Sequence, residues 1–331
     1  MTTLKDIADH CDLSVSLVSK VLNNRMGTSS AKPEVVQTIH RVAQELGYRK
    51  NQSAAALRSG RHDVIGVFMH HFGRPGTGLA ESMLQGISNT CGQNHQRQTL
   101  TFYREAAEFR AAAWAYHAGT MDGVIVSGLP HGELFEDLKQ MHQGGFPMVT
   151  IHPDPVLGDD VPNVGISEAS LTRMATEHLL AKGCRNLVQL ETMNTRTPGF
   201  VQAMRDAGQV VTDAQIIQCG FSHDAGQKVI AQLIDRNIAF DGIVAQCDEH
   251  ASGALAALLA RGVRVPQDVR IIGIDNSPYC QYLPVQLSSI CQQPFERGQM
   301  AVTLLNDLIA GKTSITSQNF KPLLYARAST A

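Results

Sequence analysis

The sequence predicts a mixed α/β protein in two parts, an N-terminal all-α head and a larger body of parallel sheets divided into two lobes. Three observations lead there. Apolar residues recur at helical spacing over roughly the first 50 positions, whereas from Val64 onward short strand-like runs alternate with amphipathic stretches. At 331 residues the chain is long enough for two domains. Charge is also divided unevenly. Residues 1–61 carry nine Lys/Arg against five Asp/Glu, a balance of +4, so the overall −2 leaves −6 on the remainder. A small basic module on an acidic body fits a head that binds a polyanion.

In the head, Leu4, Ile7 and Ala8 mark a first helix that Asp12-Leu13 interrupts. Ser14 is the expected N-cap of a second helix, with Val18, Val21 and Leu22 turned inward and Val15, Ser16, Ser19 and Lys20 turned outward. Ser30 is the expected cap of a third helix, with Pro33 in its first turn, Val35, Ile39, Val42 and Leu46 on one face, and Gly47 as its stop. Two helices around a tight turn, the second exposing small and basic groups, read as a helix-turn-helix. In that motif the second helix enters the major groove. The segment from Asn51 to Gly60 has the caps of a two-turn helix, too short to persist in water unless it packs on something.

In the body, the expected strands are Val64–Met69, Thr99–Tyr103, Gly123–Ser127, Met148–His152, Val164–Ile166, Leu187–Glu191, Ile216–Cys219, Gly242–Ala245 and Ile271–Ile274. Helices are expected at Ala80–Thr90, Leu134–Gln143, Ala169–Lys182 and Ala251–Arg261, among others. Nine strands exceed one small open sheet, so two βαβ lobes flanking a cleft are expected.

Several function classes lack their minimal groups. The seven cysteines are scattered with no C-x-x-C, which suggests neither a disulfide framework nor a zinc ribbon. The Gly73–Gly78 loop looks phosphate-friendly, but Leu79-Ala80 stand where a P-loop needs Lys then Ser/Thr. No G-x-S-x-G elbow, H-E-x-x-H or dinucleotide fingerprint occurs, and His70-His71 has no further ligand at metal spacing. No enzyme activity, cofactor or metal is therefore expected. With no export signal and no run long enough to span a bilayer, a cytoplasmic protein without membrane contact is expected.

Read whole, the run from Thr3 to Asn23, then Glu45-Leu-Gly-Tyr48, Asn51, Ala55-Ala-Leu57 and Ile65-Gly66-Val67, closely resembles the LacI/GalR family of bacterial transcription regulators. The likeness continues through the body at Asp122-Gly-Val-Ile, Arg196-x-x-Gly-Phe200, Phe221, Asp241-Gly-Ile-Val, Val265-Pro-Gln-Asp-Val, Gly273-Ile-Asp275 and Leu287-Ser-Ser-Ile. The resemblance implies a periplasmic-binding-protein-like body. It also implies division into a head over 1–50, a hinge helix over 51–61 and a body over 62–331. The N-lobe then takes about 62–161 plus 292–322, and the C-lobe about 162–291 plus 323–331.

The resemblance further implies roles for single residues. Val15, Ser16 and Lys20 face base edges, while Ser14, Ser19, Asn23 and Tyr48 meet phosphates. Lysine can donate to guanine O6 and N7, hydroxyls pair with phosphate oxygens, and valine can touch a thymine methyl. Leu57 wedges a central base step open from the minor groove, with Arg58 beside it. In the cleft, Arg196 and Asp275 hold a small effector from opposite lobes and Phe221 stacks on it, a sugar-like arrangement. Asp248 and Gln292 are secondary candidates, and His70 and Phe72, after the first strand, are weaker ones. Cys247 stands where the family often has a contacting asparagine, so the effector contacts differ from the galactoside set. The stretch from Asn23 to Tyr48 is about three residues longer than in the lactose-repressor type.

The implied function is a homodimeric repressor of palindromic operator DNA whose affinity is set by a small molecule, a sugar or sugar derivative. No leucine heptads end the chain, so a dimer rather than a tetramer is expected. The rival readings are a sugar-binding protein without a DNA role and a sugar-processing enzyme.

Overall fold

The structure is a computed structural model that describes residues 2–22, 31–48, 56, 60–70, 77–116, 119–128, 132–154, 158 and 161–331. The chain divides into two compact units, residues 1–62 and 63–331.

The first unit is a three-helix head, α1 (Leu4–Cys11), α2 (Val15–Leu22) and α3 (Pro33–Glu45). Thr3 and Asp6 form a capping box on α1: the Thr3 hydroxyl accepts from the Asp6 amide (3.3 Å) and the Asp6 carboxylate from the Thr3 amide (2.7 Å). Asp12 then takes the left-handed conformation (φ 52°, ψ 46°), the turn that a glycine commonly makes and that aspartate tolerates. Ser14 caps α2 by accepting the Leu17 amide (3.2 Å). The third helix starts differently from expectation. Its N-cap is Lys32, without a side-chain bond, and Pro33 opens the helix with its fixed φ; Ser30 lies outside the described residues. Gly47 (φ 60°) stops α3 as expected, with the Tyr48 amide bonded back to Ala43 and the Gly47 amide to Gln44. Ile7, Ala8, Val18, Val21, Ile39, Val42 and Ala43 close the core between the helices.

The second unit carries two large sheets and a two-stranded one. The first has the order β2–β1–β3–β4, all parallel: β1 (Val64–His70), β2 (Arg97–Tyr103), β3 (Gly123–Ser127) and β4 (Met148–Ile151). Along β1, Val64 and Phe68 pack to one face while Ile65, Val67 and Met69 pack to the other, so both faces are buried. α5 (Ala106–Tyr116) and α6 (Phe135–Gln143) cover one side, α4 (Leu79–Gln93) and α11 (Pro294–Ile309) the other.

The second sheet runs β12–β10–β9–β8–β6–β7, from β6 (Leu187–Glu191), β7 (Ile216–Gln218), β8 (Gly242–Ala245), β9 (Arg270–Ile274), β10 (Ser288–Cys291) and β12 (Leu323–Tyr325). Only β12, at its edge, is antiparallel. α7 (Glu168–Ala181) and α8 (Thr197–Asp206) pack on one face, α9 (His223–Asp235) and α10 (Asp248–Ala260) on the other.

The nine expected strands are present, four with the expected ends and five with one end shifted by one or two residues, and β10, β11 and β12 join them. Between the sheets, β5 (Val164–Ile166) pairs with β11 (Gln318–Phe320), and Asn163 bridges to Thr150 at the end of β4. Val164 packs in the core of the first sheet and Ile166 in that of the second, so residues 163–166 are shared by both halves. The chain passes between the sheets after β4, after β10 and after β11. No helix among the described residues is long and apolar enough to cross a membrane.

α4 and α11 touch backbone to backbone. A Cβ on Gly86 would fall 2.0 Å from the Phe295 carbonyl oxygen, and one on Gly298 would fall 2.4 Å from that of Met83. Gly298→Ala is therefore expected to force the two helices apart and to cost about 1–3 kcal/mol. Urea denaturation followed by circular dichroism checks this; unchanged stability would mean the contact is looser than the geometry requires.

Candidate DNA-contact and effector sites

The head presents one candidate surface. Ser14, Val15, Ser16 and Lys20 are exposed on α2, Val15 at 44%, while Val18 and Val21 on the opposite face are in the core. Ser19 is half-buried. The exposed valine is informative, because an apolar side chain left in water beside serines and a lysine contributes nothing to the head's own folding. Tyr48 is half-buried against the head core, and burial raises its phenol pKa further above neutral. Asn23, Leu57 and Arg58 lie outside the described residues. Next to Leu57, Ala56 is helical and its carbonyl accepts the Gly60 amide (2.8 Å).

The second unit encloses a cavity of about 380 Å³ where the carboxyl ends of the parallel strands of both sheets meet, the place where open α/β sheets bind ligands. His70 ends β1, Ser127 ends β3, and Ile151 ends β4; Asp275 follows β9 and Gln292 follows β10. Arg196 caps the start of α8, Cys247 the start of α10, and Glu168 opens α7. His70, Arg196, Phe221, Asp275 and Gln292 thus line one space. Phe72 lies outside the described residues.

Arg196 is almost wholly buried, with its Nε donating to Glu168 and its Nη1 to the Gln246 carbonyl. Burial works against its charge, but Glu168 and Asp275 outweigh that and raise its pKa. The Gln246 side chain in turn accepts the Thr192 and Met193 amides (3.0 and 2.9 Å), tying β8 to the loop that delivers Arg196. Across the cavity Asp275 accepts from Gln292 Nε2 (2.6 Å). Its backbone φ of 113° lies in the region that favours glycine. The strain is held by the Asp275 amide bonded to the Ile290 carbonyl (2.8 Å), and by Arg327 and Ser289 on the next residue, Asn276. Phe221 is 52% exposed, its ring 5.9 Å from that of His250, an aromatic plate at the edge of the cavity.

One secondary candidate is placed differently. Asp248 is fully buried and does not line the cavity; its carboxylate accepts the Ser277 amide and the Ser289 hydroxyl, both at 2.6 Å. It fixes the segment after β9 that carries Asp275. Three charged lining residues are not among those expected from the sequence, Glu168, Glu249 and Arg297. Cys247 lines the cavity as a thiol that burial pushes far up in pKa, so it is protonated and a weak hydrogen-bonding group. Among the described residues no group of three His, Cys, Asp or Glu side chains is placed to hold a metal ion.

Comparison with known proteins bears on both sites. Residues 3–51 match the family described as bacterial regulatory proteins, lacI family, and residues 176–330 match the periplasmic binding protein-like domain. The chain is 29% identical to the ribose operon repressor of Halalkalibacterium halodurans over 314 residues, 92% of this chain and 89% of that one. It is 27% identical to the transcriptional regulator GalS of Salmonella typhimurium over 342 residues, covering 100% and 97% of the two. In fold it is similar to the lac repressor dimer bound to operator and the anti-inducer ONPF (TM-score 0.79, 20% identity, 99% of each chain). It is also similar to the transcriptional regulator CelR in complex with cellobiose (TM-score 0.70, 23% identity, 99% of this chain and 100% of that one).

Burial raises the Asp275 carboxyl to about 7, with Arg196 opposing and Asp248 adding to the rise. The folded protein therefore holds that proton more tightly than the unfolded chain, and the stability this contributes is lost as pH rises from about 4 through about 7. Asp275→Asn is expected to melt higher than the parent at pH 8, the gap closing below pH 5. Scanning calorimetry of the ligand-free protein at the two pH values reads this directly; a variant less stable at pH 8 would show that the carboxylate is stabilised where it stands.

Proposed function

Because the chain belongs to the LacI/GalR family of bacterial transcription regulators, we propose that Val15, Ser16 and Lys20 read the operator and that the cavity between Arg196 and Asp275 receives the controlling effector. The observation that carries this reading is the division of α2 into a buried valine face and an exposed face of small and basic groups, in a chain whose other unit gathers charged side chains around one cleft. The protein is a DNA-binding transcription regulator, and its relatives include a sugar-operon repressor and a purine-type repressor, PurR of Serratia proteamaculans. We read it as a homodimeric repressor in the cytoplasm, where its operator is.

In this reading two heads meet two half-sites of a palindrome, and a twofold dimer matches that symmetry. Ser14 spends its hydroxyl on the Leu17 amide and retains lone pairs and a proton for a phosphate. Residues 51–61 would serve as the hinge at the minor groove, with Leu57 as wedge and Arg58 supplying charge. Arg196 and Asp275 both stand at the ligand edge of the second sheet, after β6 and β9, and not on opposite lobes as the resemblance implied, because the chain crosses from the first sheet before β6 and returns only after β10. A molecule that also touches His70 and Ser127 of the first sheet favours one arrangement of the two sheets. To change operator affinity, that preference has to reach a few kcal/mol. Phe221 covers the apolar face of the molecule, and Gln292 orients Asp275 toward its hydroxyls.

Anisotropy titrations on palindromic fragments test the DNA reading. Lys20→Ala is expected to lower discrimination against single-base variants by about 5–150-fold at one operator position; a uniform loss over all sequences would move Lys20 to a phosphate. Leu57→Ala is expected to weaken specific binding strongly while the body keeps its melting temperature, and unchanged operator affinity would remove the wedge. Sedimentation is expected to give the mass of a dimer, and a stable tetramer would overturn that assignment.

A further inference from the structure

One charged group in the cavity has requirements that the protein leaves unmet. Arg297, in the first turn of α11, lines the cavity and is 4% exposed. Its Nη2 donates to the Val164 carbonyl at 3.2 Å, and its Nε is withdrawn from solvent with no partner. The acid that acts on it electrostatically is Glu168, whose carboxylate is already engaged by Arg196. Burial consequently pulls the guanidinium down to about 10, against the opposing pull of Glu168. A guanidinium offers five donors in a planar fork suited to two oxygens of one carboxylate. The group cannot retreat, because the neighbouring Gly298 holds α11 in backbone contact with α4.

We propose that the effector is a hydroxylated carboxylate of the sugar-acid class, its carboxylate paired with Arg297 and its hydroxyls bound by Asp275 and Gln292. This rests on the reading of the cavity as the effector site. Arg297 makes no direct ion pair among the described residues, since Glu168 is bonded to Arg196, so its fork is open to a single carboxylate. A phosphate ester would bring a second charge and a third oxygen beside Glu168 and Glu249, which also line the cavity. A neutral sugar could accept hydrogen bonds from Arg297 through its hydroxyl oxygens but would bring no charge opposite the buried guanidinium. About 380 Å³ lies near the lower end of the roughly 300–1,000 Å³ of small-molecule sites, room for one ring or a six-carbon chain. Leu79, Met83 and Phe221 supply the apolar walls for its C–H faces.

The experiment is calorimetric titration of the full chain with D-gluconate, D-glucuronate and D-galacturonate, with their neutral parents D-glucose and D-galactose, and with D-glucose 6-phosphate. At least one acid is expected to bind, with its parent weaker by about 30-fold or more, the effect of leaving a buried charge unpaired. Arg297→Met is expected to lose the acid by a similar factor, to retain palindrome binding, and without ligand to melt at or above the parent's temperature, since an apolar replacement removes an uncompensated charge. Any of four results overturns the proposal: a neutral sugar binding as tightly as its acid, a preference for the phosphate, no binding of any acid, or acid binding undiminished in Arg297→Met. A lowered melting temperature of the ligand-free variant would also overturn it, making Arg297 a structural tie to Val164. Each of these leaves operator binding by the parent protein intact, whereas failure to bind any palindrome would overturn the regulator reading instead.

Discussion

A guanidinium taken out of water has to be surrounded by acceptors, and much of the ligand edge of the second sheet is arranged around Arg196. Glu168 comes from the start of α7, the Gln246 carbonyl from the end of β8, and the Thr172 hydroxyl donates to the carbonyl of Arg196 itself. Removing one member would strand the others in a low-dielectric site, so the group stands or falls together. The same constellation sets the potential at Asp275, which Arg196 draws toward ionisation while burial and Asp248 resist it. In the proposed effector reading, recognition rests on this preformed polar frame.

The division between what could be read in the sequence and what could not follows physical lines. Strands buried on both faces are continuous apolar runs and were legible for that reason; β2 and β7, at sheet edges and largely uncovered, were legible from their β-branched and aromatic residues. β10 was not, because Ser288 and Ser289 read as polar. They are nevertheless buried, since Ser329, Thr330 and Asp248 satisfy their hydrogen bonds across 41 or 42 residues of sequence. β11 and β12 are three residues each and sit at edges, where no pattern accumulates. In the head, periodicity and caps sufficed except at α3, where a proline opens the helix without any capping side chain.

The site shows the same division. Arg196, Asp275 and Gln292 were reached through family likeness, since their proximity is created by topology that no local pattern expresses. Asp248 was attractive as an acid at a strand end, yet its backbone position turns the carboxylate inward. Glu168 looked like any acid in a helix's first turn. Arg297 did carry a legible signal that passed unnoticed. It stands four, seven and eight residues before Ala301, Leu304 and Leu305, so it is a charge on the buried stripe of an amphipathic helix.

The three passages of the chain between the sheets, after β4, β10 and β11, bear on mechanics. Two plates tied by a single tether could swivel freely, but three ties side by side suppress twisting and sliding and leave mainly bending about the line that joins them. Opening and closing then become one coordinate, and a molecule at the jaws gains leverage over points far from the fulcrum. On the proposed effector reading, small differences in ligand girth would become larger displacements at the rim, so that shape as well as affinity would count.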